Sequence, residues 1–144
     1  MDKWDTRYIG IAKEVSTWSK DPSSQIGAVA VGRKGEILST GYNGFPRHIY
    51  DEESRYENRE FKYAHVVHAE ENCIFNACRS GISLLDSTMY VYGLPCCSNC
   101  AKGIIQVGIR RVIMKGDPFN ERWRASVELT IAMFAEARVD YEFI

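Results

Sequence analysis

The chain has 144 residues, of which 45% are hydrophobic and 12% aromatic, which suits one domain over residues 1–144 with a core of its own. Eighteen basic residues against nineteen acidic ones give a formal net charge of -1. This balance disfavours a nucleic acid polymer as partner, because such binding depends largely on phosphate neutralisation. The N-terminus lacks the pattern of a secretory signal, and no stretch approaches membrane-spanning length, so we expect a cytoplasmic protein with no membrane partner.

Apolar periods and turn residues predict elements in the order αββαβαβαβ. These are a helix over 4–19, strands over 26–31 and 36–42, a helix over 68–80, a strand over 87–92, a helix over 97–107, a strand over 110–115, a helix over 121–137 and a strand over 139–143. Segment 47–62 is charged and has no period, so it fits either a long loop or a polar helical insertion. The chain is therefore predicted to be an α/β protein.

The arrangement of the strands follows from the lengths of their connections. The short link 32–35 predicts an antiparallel hairpin between the first two strands. Later strands alternate with helices, so they should be mostly parallel and joined by right-handed crossovers. Helices should then cover both faces of the sheet, which gives a structure of three layers.

One histidine and two cysteines have the composition of a zinc site. His68 lies at the start of one predicted helix, and Cys97 and Cys100 lie at the start of another. Helix starts carry partial positive charge, which favours thiolates. One imidazole and two thiolates leave the fourth tetrahedral position of zinc open for water. Because bound zinc lowers the pKa of water to about 7, this set is typical of a hydrolytic site, and Zn²⁺ is the predicted cofactor.

Glu70 is the predicted proton carrier beside this metal. Residues two apart are separated by about 200° around a helix, so His68 and Glu70 can converge only in a pocket at the helix end. There Glu70 would take a proton from the zinc-bound water and deliver it to the substrate. Glu71 is better interpreted as a solvated carboxylate that complements the helix dipole. His-x-Glu followed by Pro-Cys-x-x-Cys is the signature of zinc nucleobase deaminases.

The cysteine cluster departs from that signature by one residue. Pro95 is followed by two adjacent cysteines, so counting from Pro95 nominates Cys96 as the ligand, whereas counting back from Cys100 nominates Cys97. We predict Cys97, because that spacing keeps both sulfurs on neighbouring turns of the helix start. Cys96 is then a thiol of the pocket or the core.

Two other classes of protein share part of this pattern. A Cys-x-x-Cys at a helix start after a strand also fits a thioredoxin-like redox site, which would leave His68 and Glu70 without a role. A non-catalytic zinc module would need a fourth ligand, and the sequence offers no obvious one. Zinc content together with thiol titration separates the three classes.

Several blocks of sequence, in the right order, resemble the deoxycytidylate (dCMP) deaminase family within the cytidine deaminase superfamily. The resemblance runs from about residue 18 to residue 115. The blocks are Lys20-Asp21-Pro22, Ser24-Gln25-Ile26-Gly27-Ala28, Gly41-Tyr42-Asn43-Gly44-Phe45-Pro46, His68-Ala69-Glu70, and Cys97 to Cys100 with Ala101-Lys102 and Ile104-Ile105-Gln106.

The resemblance implies a three-layer cytidine deaminase-like fold, with a five-stranded mixed sheet of order 2-1-3-4-5 and zinc between two helices. It implies zinc-dependent hydrolytic deamination of a cytosine nucleotide, with dCMP converted to dUMP and ammonia released. It also implies a homo-oligomer, either a hexamer or a dimer, with dCTP and dTTP as candidate allosteric effectors. Other nucleotides, modified cytosines and free nucleosides stay open as substrates, while the near-neutral charge argues against a tRNA adenosine deaminase.

Five further residues are predicted to bind the substrate. Asn43 matches the family asparagine of the pocket wall, where an amide could fix the sugar or base, although Asn-Gly is also an ordinary turn signal. Ala69, between His68 and the proton carrier, is assigned to the pocket. A 5′-phosphate needs cations or N–H donors, and Lys115, Arg122 and Arg124 follow the fourth strand. Surface arginines are more often only solvated.

Overall fold

Residues 2–144 of the computed structural model are described, and they form a mixed sheet between helices. The elements are α1 (Lys3–Ser16), β1 (Gly27–Val31), β2 (Ile37–Tyr42), α2 (Glu53–Glu57), α3 (Arg59–His65), α4 (Ala69–Arg79), β3 (Thr88–Tyr92), α5 (Ser98–Gln106), β4 (Arg111–Lys115), α6 (Arg124–Ala137) and β5 (Asp140–Phe143). The predicted elements are all present, and α2 and α3 are additional to them. No helix within residues 2–144 combines the length and apolar character needed to span a bilayer.

The sheet has the order β2-β1-β3-β4-β5, as the family resemblance implied. β1 runs antiparallel to both β2 and β3, with Ala28 opposite Gly41 on one side and Val91 on the other. β3, β4 and β5 are parallel, which confirms the prediction for the later strands. Consequently the connections from β3 to α5 and from β4 to α6 leave the same edge of the sheet.

Alternate residues along the strands supply two separate apolar cores. On one face Val29, Tyr90 and Ile113 pack with Tyr8 and Val15 of α1. On the other face, strand residues pack against α4, α5 and α6. That second core includes Ala28, Val91, Met114, Cys73, Ala101, Ile104 and Phe134. Helices therefore cover both faces of the sheet, and the larger core lies beneath the helices that carry the predicted zinc ligands.

Helix α1 is shorter than its apolar period predicts. The hydroxyl groups of Ser16 and Thr17 donate to carbonyls one turn back, at 2.5 and 2.6 Å, and such bonds compete with continued helix. The Ser19 hydroxyl instead donates to the carbonyl of Asn43 at 2.8 Å. The chain after Ser16 is thereby tied to the loop that follows β2.

Segment 47–62 contributes helices rather than a long loop, so the second of the two predicted alternatives is correct. The Asn58 side chain caps α3 by accepting from the N–H of Phe61 at 3.1 Å. Tyr56 is buried and stacks on Phe45 with ring centroids 4.2 Å apart. The aromatic contact holds the insertion against the loop after β2.

Strand β2 and helix α4 are in direct backbone contact at Gly41. A Cβ atom there would lie 2.2 Å from the nitrogen of Cys73 and 2.4 Å from the carbonyl oxygen of Ala69, closer than non-bonded atoms approach. Only glycine therefore allows α4 to lie this low on the sheet. The contact sets the position of the first turn of α4, where His68 and Glu70 lie.

Candidate active site

Two helix starts meet above the sheet and bring together side chains distant in sequence. His68 is the N-cap residue of α4, and its N–H donates to the Glu71 carboxylate at 3.2 Å. Cys97 is the N-cap residue of α5, and its sulfur accepts from the N–H of Cys100 at 3.4 Å. Both caps have extended backbone, which turns each side chain towards the helix end.

The three predicted ligands form one compact cluster. His68 Nδ1 lies 3.3 Å from the sulfurs of both Cys97 and Cys100, and the two sulfurs lie 3.3 Å apart. A tetrahedral zinc ion with Zn–N and Zn–S bonds of about 2.0 and 2.3 Å has ligand separations of about 3.5–3.8 Å, so the set fits zinc with small adjustments. Among residues 2–144 the cluster has no fourth His, Cys, Asp or Glu member, which leaves one coordination position for water.

Hydrogen bonds within the cluster shift the pKa values of its members in opposite directions. The hydrogen bond from Cys100 lowers the pKa of Cys97 to about 4 against the opposing effect of burial, with His68 also contributing. The hydrogen bond to Cys97 raises the pKa of His68 to about 9, although burial opposes this. The lowered pKa of Cys97 favours its thiolate, and the raised pKa of His68 means that the imidazole must give up a proton when a divalent cation binds.

Glu70 lies beside the ligands without joining them. Its side chain is 4% exposed, and burial raises the pKa of its carboxyl group to about 7 while His68 acts in the opposite direction. Cys96 is fully buried in the larger core and is not a member of the ligand cluster. The structure therefore brings Cys97 into the ligand cluster and leaves Cys96 outside it, as the spacing predicted.

A cavity of roughly 220 Å³ opens next to the cluster. Its inner end contains Glu70 and two of the ligands, and its outer end is cationic. The lining consists of Asp21, Ser23, Ser24, Ile26, Asn43, Arg59, Lys62, Tyr63, Val66, His68, Ala69, Glu70, Leu94, Pro95, Cys97, Arg122, Trp123, Ser126 and Val127. The elements that supply it are α3, α4, and the segments before β1, after β2, after β3 and around the start of α6.

Three of the five predicted substrate residues line this cavity. Asn43, Ala69 and Arg122 are in the wall, whereas Lys115 and Arg124 are exposed residues outside it. Arg124 pairs with carboxylates at 3.1 and 3.3 Å on its own segment of chain. The start of α6 explains this separation, because the Asn120 side chain accepts from the N–H of Arg122 at 3.0 Å and delays the helix beyond the predicted residue 121.

The side-chain amide of Asn43 is hydrogen bonded to other groups of the protein. Its oxygen accepts from the N–H of Ile26 at 2.8 Å, and its nitrogen donates to the carbonyl of Ser24 at 2.8 Å and to the Asp21 carboxylate at 3.4 Å. Asn43 is 5% exposed. These bonds fix the segment before β1 against the loop after β2. Asn43 therefore shapes the cavity wall by holding these two segments together.

Arg59, Tyr63 and Arg122 form a cationic cluster at the cavity mouth. The Tyr63 hydroxyl accepts from Arg59 at 3.0 Å and also from Arg122. Burial is the largest single effect and raises the pKa of Tyr63, but the two guanidinium groups together outweigh it and the pKa is lowered. Across residues 2–144, neither guanidinium has a carboxylate within 4.0 Å. Sequence reasoning missed Arg59 and Tyr63, because segment 47–62 gave no period from which to orient them.

A buried ion pair connects this mouth to the inner wall. Lys62 Nζ lies 2.8 Å from the Asp21 carboxylate and 2.9 Å from the Ser23 hydroxyl. Burial alone would raise the pKa of Asp21, but the hydrogen bonds from Lys62 and Ser23 more than offset it and the pKa is lowered. The side chains of Lys62 and Asp21 are 11% and 1% exposed. This pair was also missed, since a lysine in a charged segment is usually solvated.

The family profile described as "Cytidine and deoxycytidylate deaminase zinc-binding region" matches residues 2–115. The chain belongs to this family. An uncharacterized deaminase of Aliivibrio fischeri is 38% identical over 146 residues, which cover 100% of this chain and 95% of the relative. The deoxycytidylate deaminase of Homo sapiens is 36% identical over 124 residues, which cover 83% of this chain and 68% of that protein.

The fold of this family member is also found in solved structures. The dCMP deaminase of cyanophage S-TIM5, crystallised in complex with dCMP and dUMP, superposes with a TM-score of 0.78 at 22% identity and covers 100% of this chain and 99% of that one. The likeness establishes the cytidine deaminase-like α/β fold. The family and the His68, Cys97 and Cys100 cluster identify the chain as a zinc-dependent deaminase rather than a thioredoxin-like redox protein.

Proposed function

We propose that this deaminase acts on a cytosine deoxynucleotide with a 5′-phosphate, namely dCMP, and converts it to dUMP and ammonia. The observation that carries the proposal is the pair of guanidinium groups, Arg59 and Arg122, at the mouth of the cavity that contains Glu70. The named relatives that share about a third of their residues with this chain, including those of mouse and human, are deoxycytidylate deaminases.

The charge at the mouth of the cavity suits a phosphate group. Two guanidinium groups hold one phenol oxygen between them without a carboxylate partner in the described chain, so their charge is available to an anion. Arginine binds phosphate oxygens in a bidentate manner, and charge-assisted bonds of this kind are the stronger ones. A 5′-phosphate at this mouth would place the attached base deeper in the cavity, towards Glu70.

The inner end of the cavity suits proton transfer to a cytosine base. When bound by His68, Cys97 and Cys100, zinc supplies an activated water near neutral pH. Glu70 takes a proton from the water that adds to C4 of cytosine and delivers it to N3. It then transfers the second proton to the amine that leaves as ammonia, which balances the hydrolysis. Ala69 and Asn43 form the wall against which the base and sugar would lie.

The proposal is tested by ammonia release from a panel of compounds: dCMP, deoxycytidine, CMP, dCTP, 5-methyl-dCMP and, as a control, adenosine-containing RNA. We expect dCMP to have the highest kcat/KM and deoxycytidine to be about 100-fold poorer or worse, since it lacks a group that makes charge-assisted hydrogen bonds. Equal kcat/KM for dCMP and deoxycytidine would rule out the phosphate site. Zinc content and thiol titration on the same preparation test the metal.

Other expectations stay predictions. These are a single domain over residues 1–144, a homo-oligomer, dCTP and dTTP as allosteric effectors, and a cytoplasmic location. Sedimentation with and without the two triphosphates addresses assembly and effector binding together. The described surface includes exposed apolar side chains such as Phe119 and Leu129, which would suit contacts between subunits.

A further inference from the structure

Two hydroxyl groups of α6 are hydrogen bonded to the segment that carries the zinc ligand Cys97. The Thr130 hydroxyl donates to the carbonyl of Cys96 at 3.0 Å, and the Ser126 hydroxyl accepts from the N–H of Ser98 at 2.8 Å. Ser126 and Thr130 are four residues apart, so they share one face of α6, and that face lies towards the start of α5. The two bonds are therefore made immediately before and immediately after the ligand.

The two bonded peptide groups together determine where the Cys97 side chain points. A peptide group is planar, so the chain turns only about the φ and ψ angles of each residue. The peptide before Cys97 is held by the bond from Thr130, and the peptide after it by the bond to Ser126. With both planes held, the extended backbone of Cys97, with φ -74° and ψ 163°, is fixed. The direction of the ligand sulfur is thus set by protein contacts.

Neither hydroxyl makes the contact that is common for its position. Within a helix, serine and threonine hydroxyls often bond the carbonyl three or four residues earlier, whereas these two bond another segment of the chain. Thr130 is 1% exposed, so the Cys96 carbonyl has no ready substitute for this donor. The N–H of Ser98 is among the first four of α5, which have no partner inside their own helix. Ser126 supplies that partner.

We propose that Ser126 and Thr130 are positioning residues that hold Cys97 in its place in the zinc site and so raise the affinity of the site for the metal. They act through the backbone of Cys97 and supply no ligand atom. Groups already held in their bound arrangement lose little freedom on binding. The proposal goes beyond the proposed function, because it concerns the metal site and holds whichever nucleotide is the substrate.

The test is the zinc dissociation constant of Thr130→Val and Ser126→Ala, measured by competition with a chromophoric chelator. Thr130→Val keeps the shape of the side chain and removes the hydroxyl, so we expect Kd to rise about 10-fold or more, as for other partners outside a ligand set. Ser126 is half-buried, so water can partly replace its hydroxyl and Kd should rise about 3- to 10-fold. Thr130→Ser retains a donor and should restore Kd to within about 2-fold of the unmodified protein.

Co²⁺ in place of zinc gives a second readout. The visible absorption of Co²⁺ depends on its coordination geometry and on thiolate ligation, so it reports the placement of the Cys97 sulfur directly. The Co²⁺ spectrum of Thr130→Val should differ from that of the unmodified protein, and the spectrum of Thr130→Ser should match it. A loss of stability alone would leave the spectrum of the folded, metal-loaded protein unchanged.

Ser87→Ala is the matched control for loss of a buried hydroxyl. Ser87 is 1% exposed and its hydroxyl donates to the carbonyl of Leu84 at 2.7 Å. It precedes β3, whereas Cys97 follows that strand. We expect a Tm decrease similar to that of Thr130→Val, with zinc Kd and the Co²⁺ spectrum unchanged.

The positioning role of either α6 residue is overturned if its own variant binds zinc as tightly as the unmodified protein. It is also overturned if Thr130→Ser is as weak as Thr130→Val, or if Ser87→Ala weakens zinc binding as much as Thr130→Val. Should Thr130→Val not fold, Ser126→Ala decides the proposal by the same two measurements.

Discussion

The two ends of the cavity are built in different ways. The inner end is half-buried to fully buried and consists of N-cap and first-turn side chains of α4 and α5, of which α4 contacts the sheet directly at Gly41. The outer end is exposed, with Tyr63 at 52%, and its side chains come from the inserted α3 and from the loop before α6. The inner end thus depends on core packing, whereas the outer end depends on surface electrostatics.

Under the proposed function, this difference gives the two ends separate tasks. Reaction chemistry requires groups held at fixed separations in a site with little water, as found for His68, Cys97, Cys100 and Glu70. Discrimination among nucleotides requires only that charge be available where a phosphate arrives. Variants of the inner end should therefore abolish turnover, and variants of the outer end should change which substrate is preferred.

The largest expected effect on the inner end comes from removing one of the predicted zinc ligands. His68→Ala should lose zinc and reduce turnover to background, because even outer-shell partners of a metal commonly contribute 10- to 100-fold in affinity, and loss of a ligand costs more than about 100-fold. Elemental analysis of protein purified without chelators measures the metal. A His68→Ala protein with one tightly bound zinc per chain would contradict the proposed ligand set.

Glu70→Gln tests the inner end without disturbing the metal. The substitution keeps size and polarity but removes the proton acceptor, so kcat should fall about 1,000- to 10,000-fold, the upper part of the range for general acid–base catalysis. Zinc content should stay at the wild-type level. Near-normal ammonia release would exclude Glu70 as the proton carrier.

Asp21→Asn weakens the buried link between the ends. It leaves Lys62 without its carboxylate, and the free energy of unfolding should fall by about 3 kcal/mol. Because the pKa of Asp21 is lowered in the folded protein, its stabilising effect is complete above the unfolded pKa of about 3.9 and is lost as pH falls through the folded value. Urea unfolding from pH 3 to pH 8 should show the deficit of the variant constant above about pH 5 and shrinking below about pH 4.

The exposed pair Lys20–Asp51 provides the comparison for that measurement. Its side chains are 65% and 45% exposed, so solvent screens the interaction. Asp51→Asn should leave the unfolding curve close to that of the wild type. A larger loss from Asp51→Asn than from Asp21→Asn would contradict the stabilising role of the buried pair.

The smallest expected effect is on substrate preference at the outer end. Arg122→Gln should raise KM for dCMP about 10- to 100-fold, the value of a charge-assisted hydrogen bond, and leave kcat/KM for deoxycytidine nearly unchanged. Arg124→Gln removes a neighbouring exposed arginine that is paired with carboxylates, and should alter KM for dCMP less than about 3-fold. The reverse order of effects would support the sequence prediction for Arg124 over the placement of Arg122.

The inner end was predictable from sequence because its geometry is local. A histidine before a helix, a glutamate two residues later and a Cys-x-x-Cys at another helix start constrain one another through a single metal ion. The sheet followed for a similar reason, since short connections and regular apolar periods leave few topologies. Cys97 was preferred over Cys96 on helical spacing alone, and the structure agrees.

Apart from Arg122, the outer end was not predictable, because its residues meet only through tertiary contacts. Arg59 and Tyr63 lie in a polar insertion whose direction depends on the stacking of Phe45 on Tyr56. Lys115 and Arg124 were nominated by their distance along the chain from β4, yet a side-chain bond from Asn120 changes where α6 begins. Neither effect leaves a periodic pattern in sequence.

The glycine at position 41 has a practical consequence for redesign of the enzyme. Since α4 contacts the backbone of β2 there, any larger amino acid would push α4 away from the sheet. His68 and Glu70, at the start of α4, would then be displaced together. Variant libraries made to find enzymes for new substrates should therefore keep Gly41 unchanged and vary Arg59, Tyr63 and Arg122 at the cavity mouth. Substitutions at the cavity mouth are the ones that this enzyme can accept without moving α4.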